Sequence, residues 1–234
     1  MSTDGDLMVI DQSWYKPNFF KKIYYSGISK FIIGGSHKFL EKDRFGEFPV
    51  TLELGATHGQ HLEYIKHSYD KYILSDLVLN DELMKKAKIN NKVQVMHLDV
   101  TDIRNISTDT VDRVVLTCLL HHIEKVHLGL QEIIRVLKPS KGIADILLPN
   151  EPSFIWNLGR VLIIIPKVII SGRTWKEYWR YVELEHVNNI TNILISINEI
   201  KTKKNLKVKI QKFPFSFAPM FLTAFVRVTI QKTS

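Results

Sequence analysis

Short apolar runs alternate with segments of helical periodicity between residues 49 and 150. We predict five strands there, at residues 50–54, 72–74, 93–96, 111–116 and 143–148. The intervening segments predict helices at residues 59–69, 81–89 and 124–137, the last of them strongly amphipathic. Strands that alternate with helices indicate βαβ units and a parallel sheet, and right-handed crossovers make such a sheet doubly wound.

The flanking segments differ from this core. Residues 1–48 predict an N-terminal helical lid rich in aromatic side chains and interrupted at Gly34-Gly35 and Gly46. Residues 151–190 carry three tryptophans and an apolar run, and we interpret them as a helical cap insertion. Residues 191–234 predict a closing helix and an antiparallel strand pair at 206–213 and 221–230. The chain is therefore expected to be a single α/β domain: a doubly wound, Rossmann-like, mostly parallel sheet with an antiparallel C-terminal strand pair and a helical cap insertion.

Composition is that of an ordinary globular protein, with 45% hydrophobic and 24% charged residues. Cys118 is the single cysteine, so it forms no internal disulfide, and a reducing, cytoplasmic compartment fits. The net charge of +8 favours an anionic partner such as a phosphorylated substrate, nucleic acid or a membrane surface. Much of this excess lies in lysines of residues 201–212, which alternate with apolar residues as on an edge strand and have a second explanation as protection against aggregation.

Candidate ligand-binding residues follow three successive predicted strands. Ligands of doubly wound sheets bind beyond the carboxyl ends of the strands. Gly55 follows the first strand, where glycine lets the backbone turn tightly and approach a ligand. The dinucleotide pattern G-x-G-x-x-G would need glycine where Thr57 and Gln60 stand, so a nicotinamide cofactor is disfavoured. Asp76 is suited to accept hydrogen bonds from ribose hydroxyls, and Asp99 to accept one from an adenine amine.

Two segments resemble a known family. The sequence Glu53-Leu-Gly55-Ala-Thr-His-Gly59 resembles the E/D-x-G-x-G-x-G motif of class I S-adenosylmethionine-dependent methyltransferases, although Thr57 replaces the middle glycine. Residues 111–123 and 135–142 resemble the stretch that follows in that family, and the resemblance covers about residues 48–150.

The resemblance implies S-adenosyl-L-methionine as the cofactor and residues 49–150 as the cofactor-binding core. The residues that it assigns to the cofactor lie at four strand ends: Glu53, Gly55, Ala56, Thr57 and Gly59 around the methionine part, Asp76 and Leu77 at the ribose, Asp99 and Val100 at the adenine, and Leu116 and Thr117 at the amino-acid end.

Histidines are the candidate catalytic residues. A hydroxyl acceptor needs a proton acceptor, which histidine supplies near neutral pH. His121 and His122 follow the fourth strand, His186 lies beside Glu183 and Glu185 in the cap, and His37 lies in the lid; for each, the alternative is a packing or capping role. His58, His61 and His67 are expected to face solvent or to cap the first helix. No histidine–cysteine spacing predicts a metal site.

The sequence indicates less about the methyl acceptor than about the cofactor. Residues 154–170 are too short and too charged to span a bilayer. A cap helix packed on the sheet is the favoured interpretation, with a peripheral membrane contact or a homodimer seam as alternatives. The tail resembles methyltransferases of bacterial surface-glycan or lipid-linked pathways. We expect methylation of an oxygen on a small molecule or on a glycan or lipid-linked acceptor. The alternatives are an RNA methyltransferase, disfavoured because no RNA-binding module or N-P-P-Y/F motif is present, and a non-catalytic cofactor-binding protein.

Overall fold

A single seven-stranded sheet organises the chain. The structure, a computed structural model, describes Trp14 and residues 17–233. The strands are β1 (Val50–Leu54), β2 (Lys71–Asp76), β3 (Val93–His97), β4 (Arg113–Thr117), β5 (Ile143–Pro149), β6 (Leu206–Phe213) and β7 (Phe225–Lys232). Their order is β3-β2-β1-β4-β5-β7-β6. The first five are mutually parallel, whereas β7 is antiparallel to both β5 and β6. The predicted fold class is confirmed.

Helices cover the sheet and form the cap. They are α1 (Pro17–Tyr24), α2 (Gly27–Leu40), α3 (Asp81–Ile89), α4 (Val126–Val136), α5 (Phe154–Gly159), α6 (Ile165–Ile170), α7 (Trp175–Glu185) and α8 (Ile190–Lys203). One π-helical turn, Arg160–Ile164, joins α5 to α6. Helices α1 and α2 occupy the predicted lid, of which residues 1–13, 15 and 16 lie outside the described residues. Helices α5 to α7 occupy the predicted cap insertion.

The cap has one packed face and one exposed face. Val168 is fully buried against Ile23 and Tyr178, as a packed cap requires. Leu162 and Ile170, by contrast, are 64% and 77% exposed. No single helix within the described residues is long and apolar enough to cross a membrane. Two segments, Phe154–Ile170 and Trp175–Lys203, meet at an angle of 115°. Only when they are taken together do they have the length and the apolar composition of a membrane span.

The prediction of a helix at residues 59–69 is wrong. Only the short 3-10 turn His61–Tyr64 forms there. The expectation that His58, His61 and His67 face solvent is also wrong, because they are 3%, 1% and 5% exposed. His61 contacts the Glu41 carboxylate at 3.0 Å, and His67 contacts Thr51 Oγ1 at 2.9 Å. These buried polar contacts turn the side chains inward and hold an irregular backbone in place of a regular helix.

Gly34 and Gly35 do not interrupt the lid as predicted, because both lie inside α2. A Cβ placed on Gly34 would lie 3.0 Å from the Tyr64 hydroxyl, and one on Gly35 would lie 3.2 Å from Phe213. The two glycines therefore let α2 pack closely against its neighbours.

The two faces of the sheet differ in chemistry. Leu52 and Leu54 of β1 point into a large apolar cluster that also contains Leu130 of α4 and Ile197 of α8. Thr51 and Glu53 alternate with them and lie on the opposite face, where both are buried. The period of two along one short strand thus separates an apolar core from a buried polar layer.

Asp145 is the centre of this polar layer. It lies in β5 and is fully buried, and three guanidinium groups surround its carboxylate. Arg44 donates at 2.6 Å to each carboxylate oxygen, Arg113 of β4 at 3.0 Å, and Arg227 of β7 at 3.1 and 3.2 Å. Burial raises the pKa of Asp145, but the charges of Arg113 and Arg44 outweigh it and hold the pKa below its ordinary value. The carboxylate therefore stays ionised inside the protein.

A hydrogen-bonded chain continues this layer towards the lid. Arg113 donates to both Glu41 carboxylate oxygens, at 2.6 and 3.0 Å. His61 Nε2 lies 3.0 Å from Glu41, and His61 Nδ1 lies 2.9 Å from His37 Nδ1. Tyr25 Oη lies 3.3 Å from His37 Nε2. Neutral rings satisfy the whole chain when Tyr25 donates to His37, His37 to His61 and His61 to Glu41.

Buried neutral histidines predict that the fold weakens as the pH falls. Burial, aided by the positive charge of Arg113, lowers the pKa of His67 from 6.5 to about 4. The unfolded chain takes up this proton near pH 6.5 and the folded chain only near pH 4. The stabilisation is therefore fully present above pH 6.5 and is lost as the pH falls towards 4, at about 1.4 kcal/mol per pH unit for one proton.

We expect urea unfolding of His67→Gln between pH 6.5 and 4.5 to show a shallower pH slope than the wild type, by about 1.4 kcal/mol per pH unit. The matched control is His97→Gln, because His97 is exposed. Equal slopes in the two variants would contradict the assignment of a buried neutral ring to His67.

Candidate active site

A cleft opens where the strand order reverses, between the carboxyl ends of β1 and β4. This is the position at which doubly wound sheets bind ligands. The lining residues come from the ends of β1, β2 and β3 and from the segment after β4: Leu54, Gly55, Asp76, Leu77, Leu98, Val100, Leu119 and Ile123. The sequence predicted four of them, namely Gly55, Asp76, Leu77 and Val100. It missed Leu54, Leu98, Leu119 and Ile123, whose only signal was an apolar residue at or just after a strand end.

The loop after β1 approaches the opposite wall of the cleft closely. Gly55 has a φ of +69°, and a Cβ placed on it would lie 2.7 Å from Leu119 Cδ1. Both its conformation and its surroundings therefore favour glycine. Gly59 is similar, with a φ of +68° and Lys86 Cδ 2.8 Å from a Cβ placed there.

Thr57 adopts the conformation of the glycine that it replaces. Its φ is +51°, which is strained for a β-branched residue. Two hydrogen bonds hold it there: its N–H donates to Asp76 Oδ2 at 2.8 Å, and Asn80 Nδ2 donates to its carbonyl oxygen at 2.5 Å. The departure from the motif therefore changes the side chain and leaves the left-handed turn in place.

Asp76 links this loop to β2. Its Oδ1 accepts a hydrogen bond from the Val78 N–H at 3.0 Å, while Oδ2 accepts the one from Thr57. A carboxylate oxygen has two lone pairs, so each oxygen can accept one further bond from a ligand in the cleft. This geometry suits a pair of vicinal hydroxyls.

Three histidines converge beyond the same edge of the sheet. The ring centroids of His121 and His122 are 4.0 Å apart. The ring centroid of His186 lies 4.6 Å from that of His121 and 5.0 Å from that of His122. One nitrogen from each ring lies within 4.8 Å of the others. We call these three residues the histidine cluster. It lies directly beside the cleft, since Leu119 and Ile123, which flank His121 and His122 in the chain, both line the cleft.

Comparisons with known proteins agree with this geometry. The family model described as "Methyltransferase domain" matches residues 52–143. No curated protein matches the chain. The match covers the strands and the glycine loop that form the cleft.

Residues 52–143 are a methyltransferase domain, and the chain has the fold of the class I S-adenosylmethionine-dependent methyltransferases. S-adenosylmethionine is its cofactor, and methyl transfer is its activity.

Solved structures share the fold of this methyltransferase over nearly its whole length. A putative methyltransferase of Haloferax volcanii, in complex with the Trm112 methyltransferase activator, has a TM-score of 0.64 at 14% identity and covers 95% of this chain and 97% of its own. The plantazolicin methyltransferase BpumL, in complex with SAH, has a TM-score of 0.63 at 17% sequence identity. The alignment covers 95% of this chain and 93% of BpumL. A putative S-adenosylmethionine-dependent methyltransferase of Methanococcus maripaludis has a TM-score of 0.58 at 17% sequence identity. The alignment covers 97% of this chain and 98% of that protein.

Carboxylates orient two rings of the histidine cluster. His186 Nδ1 lies 2.5 Å from Glu151 Oε1, and Glu151 also lies 3.6 Å from the Arg160 guanidinium. His122 Nδ1 donates to the Glu185 carbonyl at 2.9 Å and lies 3.4 Å from a carboxylate oxygen of the same residue. The sequence suggested a neighbouring acid of the cap as the partner of His186. The structure supplies Glu151 instead, whose only sequence signal was its position just after β5.

Burial sets the charge within the cluster. His121 is 5% exposed, and burial together with His122 and His186 lowers its pKa well below the ordinary value. Burial raises the pKa of Glu151, but its hydrogen bond to His186 and the nearby positive charges outweigh this and lower it. The cluster thus contains a neutral His121 beside an ionised carboxylate.

Several predicted cofactor residues do not line the cleft. Glu53 is 1% exposed, and its carboxylate accepts a hydrogen bond from the Tyr72 hydroxyl at 2.6 Å. Burial also raises the pKa of Glu53. The Ala56 side chain packs with Tyr72, and Leu116 is fully buried in the apolar core.

Asp99, by contrast, is exposed. Its carboxylate accepts hydrogen bonds from the Thr101 N–H and from the Thr101 hydroxyl, each at 2.7 Å. Their contacts with the cofactor remain predictions, as do those of Thr57, Gly59 and Thr117, which are also absent from the cleft lining.

His37 is not part of the histidine cluster. It is 4% exposed, its ring stacks on Tyr64, and both nitrogens are bonded within the polar layer. Burial, followed by the neighbouring His61, lowers its pKa to about 3. A ring that is enclosed and remains neutral in this way is suited to positioning α2. The structure therefore gives no support to His37 as a general base.

The position of Asp76 in the cleft predicts a defined loss of cofactor affinity. In Asp76→Asn an amide replaces the charged acceptor, and we expect S-adenosylhomocysteine to bind more weakly by about 1.5–3 kcal/mol in calorimetry. The control is Asp81→Asn, which removes the same charge from an exposed position in the first turn of α3. Unchanged affinity in a folded Asp76→Asn protein would exclude Asp76 as the ribose ligand.

Proposed function

We propose that this methyltransferase transfers the methyl group to an oxygen of a small-molecule, glycan or lipid-linked acceptor bound against the histidine cluster. The observation that carries the proposal is the convergence of His121, His122 and His186 beside the cofactor cleft. A hydroxyl must lose its proton as it is methylated, whereas an amine can react without a strong base. A concentration of imidazoles at the acceptor end therefore favours oxygen as the methylated atom.

We place the cofactor in the cleft in one orientation. We assign the ribose hydroxyls to Asp76 and the adenine to Val100, with the amine within reach of Asp99. The methionine part then follows the loop after Gly55 towards the end of β4. Leu119 and Ile123 line the cleft on the side of the segment that carries His121 and His122. In this orientation the sulfonium methyl group faces the cluster.

The chemistry at the methyl group is one displacement. The acceptor oxygen attacks the methyl carbon, the carbon–sulfur bond breaks, and the sulfur keeps the electron pair as S-adenosylhomocysteine leaves. The protein aligns oxygen, carbon and sulfur and excludes water. The proton of the hydroxyl leaves through the histidine cluster. Asn188 helps to hold this arrangement, because its side chain donates to the Ile123 carbonyl at 2.5 Å and its N–H donates to the His121 carbonyl at 3.0 Å.

The surface of the cap favours an acceptor with an apolar part. Phe154, Val161 and Leu162 of the cap are 60%, 53% and 64% exposed. Exposed apolar side chains grouped on one segment are typical of surfaces that bind a lipid, a membrane interface or another protein. We therefore favour a lipid-linked acceptor, with peripheral membrane contact through the cap, over a nucleic acid. The RNA alternative rests on the net charge of +8 and on the likeness of fold to the small RNA methyltransferase HEN1.

Methyl transfer from labelled cofactor to separated lipid, glycan, RNA and protein pools of a cell extract tests the proposal. We expect label in the lipid or glycan pool. His186→Gln should lower the rate by about a hundredfold or more, with S-adenosylhomocysteine affinity nearly unchanged. The control is His127→Gln, because His127 is exposed on α4 outside the cluster, and its rate should equal that of the wild type.

Three results would contradict the proposal. Label confined to RNA would identify a nucleic-acid acceptor, and label in no pool would favour a cofactor-binding protein without activity. A full rate in His186→Gln would remove the cluster from the reaction.

A further inference from the structure

The histidine cluster brings together residues from two distant parts of the chain. His121 and His122 follow β4, and His186 ends α7 in the cap. The spacing along the sequence predicts no metal site, since a pair of adjacent histidines and a third far along the chain match no metal-binding motif. We propose that His121, His122 and His186 bind one divalent transition-metal ion, and that the ion is zinc.

The distances within the cluster fit a zinc ion after small movements of the rings. Zinc binds imidazole nitrogen at about 2.0–2.1 Å in tetrahedral geometry, which places the nitrogens about 3.4 Å from one another. One nitrogen from each ring already lies within 4.8 Å of the other two. The gap that remains to be closed is therefore at most about 1.4 Å between any two of these nitrogens. Imidazole ligands suit zinc, whereas magnesium and calcium prefer oxygen.

Hydrogen bonds outside the cluster leave the right nitrogens available. Metal-bound histidines commonly donate their other ring N–H to a carboxylate or a backbone carbonyl. His186 Nδ1 lies against the Glu151 carboxylate, and His122 Nδ1 donates to the Glu185 carbonyl. Because the His122 hydrogen bond places the proton on Nδ1, Nε2 of His122 is the nitrogen left for the metal. At His186 the short contact with Glu151 occupies the Nδ1 side of the ring and leaves Nε2 as the other candidate ligand atom.

His121 provides a separate observation. It is more than nine-tenths buried, and its Nδ1 has no hydrogen-bond partner within the part of the chain that is described. An unpaired buried polar atom costs about 1–3 kcal/mol. A metal in the cluster would give this ring a partner.

The charges around the cluster also favour a cation. Glu151 and Glu185 contact His186 and His122, and Arg160 is the cation that contacts Glu151. Glu151, Glu185 and Arg160 together carry a net charge of −1. The positive charge of Arg160 is partly directed away, because its Nε donates to the Tyr178 hydroxyl at 3.1 Å and its guanidinium lies 5.0 Å from the centroid of the Trp179 ring.

Three histidine ligands leave the fourth position of zinc open, as in catalytic rather than structural sites. If zinc is bound, an acceptor hydroxyl at this position would have a lowered pKa and would lose its proton to water, instead of to an imidazole, before it attacks the methyl carbon. This use of the metal rests on the proposed function, whereas the binding of zinc does not.

Zinc binding can be measured without any acceptor. Full-length, tag-free protein is treated with a chelator, checked by circular dichroism and titrated with zinc chloride in a calorimeter. We expect one equivalent to bind. His122→Gln and His186→Gln should each weaken binding by more than about a hundredfold, and Glu151→Gln by about ten- to a hundredfold through the lost carboxylate. The control His127→Gln should bind like the wild type. Cobalt(II) in place of zinc should give the visible absorption of a tetrahedral site, and His186→Gln should abolish it.

The possible outcomes distinguish the proposal that zinc binds from the proposal that the cluster takes part in methyl transfer. Absence of zinc binding by the wild-type protein, or binding by a folded His122→Gln/His186→Gln double variant equal to that of His127→Gln, would overturn the proposal. If zinc does not bind but His186→Gln still loses methyl transfer, the proposed function stands and the imidazole itself takes the proton. If zinc binds but no pool is methylated, the metal site stands and the proposed function fails.

Discussion

The ionised carboxylate of Asp145 is the constraint on which the structure depends. An ion buried in the sheet is costly unless it is paired and fully hydrogen-bonded. Arg44, Arg113 and Arg227 provide that pairing from three other segments, so β4, β5, β7 and the residues after α2 must meet at one point. The apolar cluster on the opposite face supplies most of the buried apolar surface, but it does not require one particular arrangement as this carboxylate does. Because β4 and β5 are held side by side, the segments after their carboxyl ends bring His121 and His122 to the same edge of the sheet as Glu151, which contacts His186.

The polar layer also explains why the protein tolerates an unusual segment after β1. A regular helix commonly follows the first strand in a βαβ unit, yet here His61 and His67 turn inward to Glu41 and Arg113. Their buried contacts replace the hydrogen bonds that a helix would have made. The loop from Gly55 to Gly59 then depends on Asp76 and Asn80 for its conformation, which is why Thr57 can adopt a left-handed turn. The polar layer thus lies on one face of the sheet, and the cofactor cleft lies at the carboxyl ends of the same strands.

Local pattern predicted most of the fold and part of the site. The core strands, helix α3 and the C-terminal strand pair depend on apolar periodicity and turn residues that are visible over a few positions. Gly55, Asp76 and Val100 were predictable because a strand end fixes where its next residue lies. The pairing of Glu151 with His186 was not predictable, since it depends on how the cap folds back over β5. The convergence of the three histidines, and the inward turn of His61, depend on contacts between distant segments in the same way.

The most direct test of the account is a crystal structure of the methyltransferase with bound S-adenosylhomocysteine. We predict that both ribose hydroxyls lie within hydrogen-bond distance of the Asp76 carboxylate. We also predict that the sulfur atom, which carried the methyl group, faces His121, His122 and His186. A cofactor bound away from Asp76, or one whose sulfur faces away from the histidine cluster, would contradict it.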